Sequence, residues 1–184
     1  MESIRQYLRT VHHLSSYQIA QIFFLFKALG SEFSKMLIMG ILFHDRFLEY
    51  LFALGIMLCL RCSTGGLHFY TYLGCLATSV LYLWLSLYVM PLFCAPTYVY
   101  LCILLFCIPV CYLVGPVTSK YRPPLAPAKY KYCRNFICAF IFIYALLLYI
   151  IPQNAYIHIG FGVIILHTLQ LIVARIRKKG EKKI

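Results

Sequence analysis

From Met36 to Ala174 the chain is a succession of apolar runs, each closed by prolines, glycines or bases. Met36–Leu60, Phe69–Phe93, Tyr98–Val114, Asn135–Ile151 and Tyr156–Ala174 each approach or exceed the ~20 residues that carry a helix across a bilayer. With 62% hydrophobic and 12% charged residues among 184, this is no soluble domain, in which roughly 25% would be charged. The mean hydropathy of +0.81 says the same. Before these runs, in an amphipathic N-terminal region 1–35, Ile19, Ile22, Phe23, Phe26 and Leu29 recur at helical spacing against Ser16, Gln18, Gln21 and Lys27. About 14 residues between Tyr17 and Gly30 fall short of a full crossing, so this helix either lies in the interface or packs as a short span. The expectation is an all-α polytopic membrane domain over 1–184, with about six helical spans.

Seventeen Lys and Arg against five carboxylates give a net charge of +12, and the bases cluster between the apolar runs. No soluble basic domain remains to bind nucleic acid, so none is expected as a partner. Positive charge beside span ends marks the cytoplasmic side. On that rule the basic Pro-rich loop 118–134, with Lys120, Arg122, Lys129, Lys131 and Arg134, lies inside, as does the basic tail 175–184. The uncharged turns near 91–97 and 152–155 then lie outside, and counting back puts Arg61, His68 and both termini in the cytoplasm. The polar start lacks the pattern of a cleaved signal peptide. Most of the nine cysteines sit in or beside apolar runs and read as small buried hydrophobes, not as a disulfide framework.

Between Glu49 and Glu181 the chain has no Asp or Glu. Paired-aspartate, His-Glu-x-x-His and Ser-His-Asp chemistries with an acid in the membrane core are thereby excluded. Asp45, Arg46 and Glu49 fall at helical spacing and read as an internal ion cluster, with an orienting role for either carboxylate left open.

The remaining chemistry is concentrated in residues 61–75, where Arg61, Gly65, Gly66, His68 and Cys75 stand together. A thiolate is a nucleophile, and an imidazole beside it can take the thiol proton and later protonate a leaving amine. Seven residues of unbroken helix would hold His68 and Cys75 on one face but ~10.5 Å apart. The expectation is therefore a turn at Gly65-Gly66 or a helix broken between the pair. Arg61, a rigid fork of donors, suits a peptide carbonyl or carboxylate. Other readings stay open: His68 and Cys75 pack in a non-enzymatic small-peptide transporter or export partner, or Cys59, Cys62, His68 and Cys75 form a zinc knuckle. His158 and His167, nine residues apart on one span, read as packed or interfacial histidines. No cofactor or resident metal is expected.

At Arg61, Gly65-Gly66-Leu67-His68 and Cys75 the chain resembles the accessory gene regulator B (AgrB) family of bacterial membrane peptidases. Its size, the apolar run before the motif, Gly115-Pro116 with the basic loop after it, and the basic tail follow that family's layout. The loop lacks the acidic residue that relatives often carry. The resemblance implies a multi-pass cysteine endopeptidase and peptide cyclase of the bacterial cell membrane, acting in quorum sensing without a cofactor. Cys75 would attack an AgrD-like propeptide, release its C-terminal tail and hold the rest as a thioester, with His68 as partner. A thiol or hydroxyl of the propeptide would then close a thiolactone or lactone. Lys120, Arg122, Lys129 and Lys131 would attract an acidic tail. Membrane lipid is the other partner implied; family likeness is compatible with a homodimer, and nothing in the residues requires one.

Overall fold

A computed structural model describes residues 15–66, 71–93, 95–117 and 126–180. Among them the regular secondary structure is helical, apart from one isolated bridge. Two units, Met1–His44 and Asp45–Ile184, are each compact in themselves.

The first unit is built on α1, Ser16–Leu42. Ser15 caps it: its hydroxyl accepts from Gln18 N at 3.2 Å, and Gln18 Oε1 accepts from Ser15 N at 2.9 Å. This reciprocal box fixes the helix start. The sequence reading ended the first helix at Gly30 and began a span at Met36; the helix instead continues through both. Ser34 bonds back to Ser31 O at 3.0 Å and Lys35 pairs with Glu32, so the polar stretch satisfies itself as helix and outweighs the ~1 kcal/mol cost of Gly30. The break falls at His44–Arg46, a single 3-10 turn.

The second unit holds α2 (Phe47–Thr64), α3 (Tyr72–Trp84, continued by a π turn Leu85–Val89 and a 3-10 turn Met90–Leu92), α4 (Thr97–Val114), α5 (Pro127–Ile150) and α6 (Ala155–Gly180). With the turn before α2, these are five helices long and apolar enough to cross a membrane. The all-α, polytopic expectation holds. Two thirds of the apolar window of α6 is buried, against a third or less for the others, so α6 is the axis around which the rest pack. It packs on α2 and α4, and α5 packs on α4. Leu48, Leu73, Leu81, Phe106, Leu113 and Tyr149 face outward, far more apolar surface than water tolerates and what lipid requires.

Three boundaries differ from the sequence reading. Helix α3 starts at Tyr72 instead of Phe69, because Thr71 caps it through Gly74 N at 3.2 Å. The polar loop expected over 118–134 ends at Ala126: Pro127 opens α5 with a preset φ, so Lys129, Lys131 and Arg134 ride on a helix. The basic tail from Arg175 is helical as far as Gly180.

Alternation of the five helices sorts the unit into two ends. Thr64–Gly66, Val114–Val117, Ala126 and the C-terminal turns of α6 share one end, which carries Arg61, Lys129, Lys131, Arg134, Arg175, Arg177 and Lys178. Asp45, Arg46 and Glu49 lie at the other.

Candidate active site

At the basic end α2 terminates on Gly65, whose φ of 75° and ψ of −147° fall in a region open essentially to glycine alone. A Cβ there would stand 2.4 Å from Val117 O. The close approach is a built joint: Val117 N donates to Thr64 O at 2.9 Å, tying the segment after α4 to the end of α2. Gly115, with φ 61°, makes the second such approach, against the Tyr130 hydroxyl. Beside it Arg134 lies over the Tyr112 ring at 3.7 Å, which locks α5 to α4.

Gly66 is buried and its Cβ position lies 3.5 Å from Gln170 Oε1. Thr71 then restarts the chain in an extended conformation, and Cys75 N makes the first backbone bond of α3, to Thr71 O at 3.1 Å. The helix is thus broken between residues 64 and 72. His68 lies outside the described residues, as do Lys120 and Arg122.

Cys75, half-buried, stands four residues before Ser79 and seven before Tyr82, so the three share one face of α3. That face looks onto α2 and α6. Arg61 Nη1 donates to Ser79 Oγ at 3.5 Å and the guanidinium lies 5.7 Å from the Tyr82 ring centroid. Tyr82 donates its hydroxyl to Val163 O at 2.5 Å, pinning α3 to α6. Arg61, Cys75 and the two glycines are therefore brought to one end of the bundle, as their spacing suggests.

Asp45 and Glu49 are not brought there. Glu49 precedes Arg61 by twelve helical residues, about 18 Å along α2. Asp45 Oδ2 accepts from Tyr88 at 2.6 Å, and Glu49 pairs with Arg46 at 3.5 Å. Arg46 also donates to Leu87 O at 2.7 Å, where the π turn frees a carbonyl. The internal ion cluster expected from spacing is present, completed by partners on α3.

Sequence reasoning took His167 as a packed or interfacial histidine, and its burial bears out the packed reading; Gln170 it passed over. Both are buried side chains of α6, and His167 Nε2 lies 2.8 Å from Thr64 Oγ1. Thr64 Oγ1 is also 2.8 Å from Leu60 O. The signal was present: His167 and Gln170 are strongly polar residues within a span, where such groups are costly. Their partners, on α2, could not be read from α6 alone.

A family model for accessory gene regulator B matches residues 2–172 of the chain. No curated protein and no solved structure matches.

Proposed function

The chain belongs to the accessory gene regulator B family, which places it in quorum-sensing peptide processing, and from this premise we propose that it is a membrane cysteine endopeptidase and peptide cyclase. The observation that carries the reading is the convergence of Cys75, Arg61 and the Gly65-Gly66 turn at the basic end of the bundle, on a face closed by α6.

In the first step the Cys75 thiol loses its proton to His68, and the thiolate adds to the carbonyl carbon of the scissile peptide bond. Arg61, whose fork of N–H donors points between α2 and α3, stabilises the charge that gathers on the carbonyl oxygen. The C–N bond then breaks, His68 returns the proton to the departing amine, and the acidic tail leaves. The remaining peptide is a thioester on Cys75. A thiol or hydroxyl within it adds to the thioester carbonyl and expels the Cys75 thiolate, closing a thiolactone or lactone. Thioester exchange is nearly isoenergetic, so the ring needs no ATP. A site edged by lipid disfavours the competing water.

The basic end is the cytoplasmic end by the positive-inside rule. Lys129 and Lys131, exposed on the first turns of α5, attract the acidic tail there, together with Lys120 and Arg122. The carboxylates stay at the far end as structural partners of Arg46 and Tyr88.

The test is intact-protein mass spectrometry of the protein in liposomes with the propeptide. A mass gain equal to the propeptide less its tail, labile to hydroxylamine and absent from Cys75→Ala, is expected. Tail release that persists in Cys75→Ala would sink the assignment.

A further inference from the structure

The catalytic face has a second wall that the chemistry above does not use. On α6, Val163, His167 and Gln170 fall at i, i+4 and i+7; on α3, Tyr82, Ser79 and Cys75 read backwards fall at i, i+3 and i+7, so the two rows match in their outer pairs, seven residues apart. The two helices run antiparallel and are pinned where Tyr82 meets Val163. Moving from that pin towards the basic end, Ser79 comes level with His167. After about 10.5 Å on either helix, Cys75 comes level with Gln170. Gly66, the second glycine of the pair, lies against Gln170 from the α2 side.

Three polar atoms around this level are buried without a hydrogen-bond partner among the described residues: Arg61 Nε, His167 Nδ1 and Gln170 Oε1. His167 and Gln170 are 1% and 6% exposed. Their polarity is also defined. Thr64 Oγ1 is 2.8 Å from both Leu60 O and His167 Nε2, and it has one proton. If that proton pointed at the imidazole, two oxygen lone pairs would face each other at Leu60. Both contacts are attractive only if Thr64 donates to Leu60 O and accepts from Nε2–H. Nδ1 is then a bare acceptor. The set is one donor, Arg61 Nε–H, and two acceptors, His167 Nδ1 and Gln170 Oε1. A buried polar group left unpaired is costly, so a ligand offering one acceptor and one or two donors is favoured here.

We propose that His167 and Gln170 of α6, with Arg61, form a clamp for the main chain of the substrate peptide where it reaches Cys75. A peptide carbonyl accepts from Arg61, and flanking peptide N–H groups donate to Gln170 Oε1 and His167 Nδ1. Thr64 acts one step back, as the positioning residue that holds His167 in the accepting tautomer. The clamp reads backbone and no side chain, so it fixes the scissile bond over the thiol for varied sequences. The inference rests on the peptide-processing reading for the identity of its ligand.

The experiment uses full-length Cys75→Ala protein in lipid nanodiscs, so that binding is measured without turnover, with the propeptide as probe. Gln170→Leu removes the acceptor at nearly constant volume, and Gln170→Glu restores one. Binding is expected to weaken by about tenfold in Gln170→Leu, the loss of one hydrogen bond to a buried group, and to recover most of that in Gln170→Glu. His167→Phe and Thr64→Val should each weaken it by a smaller factor. Peptides with single ester-for-amide replacements beside the scissile bond, which lack one N–H, make the decisive cycle. One such ester should weaken binding to the Gln170 protein and cost nothing further in Gln170→Leu. Esters that cost the same in both proteins, or in neither, would overturn the clamp, leaving these atoms to buried water; where Gln170→Leu is poorly folded, the absence of any ester cost in the Gln170 protein still overturns it, and Gln170→Glu, which keeps an acceptor, should retain the ester cost. A wild type that forms no adduct on Cys75, but shows the ester cycle, would sink the peptidase reading and keep the clamp.

Discussion

The second unit holds an arginine near each end, and the two are built oppositely. Arg46 has partners within the fold: Glu49 pairs with it at 3.5 Å, Leu87 O accepts from it, and its guanidinium lies 5.1 Å from the ring of Tyr88, which itself bonds Asp45. Arg61 has one long bond to Ser79, a ring at 5.7 Å and a buried Nε with no partner among the described residues. No carboxylate stands near it in sequence. An arginine tied to a carboxylate, a carbonyl and a ring of its own fold serves to hold that fold. One held in place by a ring and a single weak bond keeps donors for something else, and here that arginine shares a face with the thiol.

The contrast breaks most visibly by substitution of the two arginines. Arg61→Lys keeps the charge but loses the planar fork. It should cut tail release by about 100-fold, the scale of losing one oxyanion donor, with the thermal midpoint in detergent little changed. Arg46→Ala should do the reverse, lowering stability by about 1–2 kcal/mol while activity per folded molecule holds. Equal effects of the two on activity would erase the distinction.

A second, intermediate effect sharpens the reading of the basic end. Gly65→Ala drives a Cβ into the backbone at Val117 O, and should cost about 1–3 kcal/mol in backbone strain alone, with no side-chain change able to relieve the clash. Gly115→Ala meets the Tyr130 hydroxyl, 2.2 Å from the added carbon, so Tyr130→Phe should recover part of its loss. Expression level and melting of the three variants decide it. Rescue of Gly65→Ala by Tyr130→Phe would mean the two joints are not independent.

The smallest effects concern charge at the surface. Lys129→Ala with Lys131→Ala should weaken propeptide binding by no more than about fivefold, because exposed charges are screened and each contributes under ~1 kcal/mol. The loss should vanish at high salt. A salt-independent loss would assign these lysines direct contacts.

The legible parts of the molecule were those carried by local spacing. Apolar runs gave the spans of α2 to α6, the i, i+3 relation gave the Arg46–Glu49 pair, and seven residues of impossible reach between His68 and Cys75 gave a broken helix, which Thr71 supplies. Boundaries were misread where polar residues satisfy themselves within a helix, as Ser31 to Lys35 do, or where proline starts a helix instead of ending one, as at Pro127. His167 and Gln170 were illegible as a site. A histidine in a span looks the same whether its partner is hydrocarbon, water or a threonine 103 positions away.

The sequence by itself determined that this chain is helical, lies in a membrane, carries its bases mostly at one end and has no carboxylate between Glu49 and Glu181. Those properties follow from hydropathy, charge and the order of residues along single helices. Only the tertiary structure decided that Arg61 keeps a buried donor without a partner among the described residues, and that His167 and Gln170 of the last helix lie buried beside Thr64 and Gly66. Both depend on how α2, α3 and α6 pack together, as in the bond from Tyr82 to Val163 O and the contact of His167 with Thr64, and a register between distant segments is fixed by packing that no local pattern encodes.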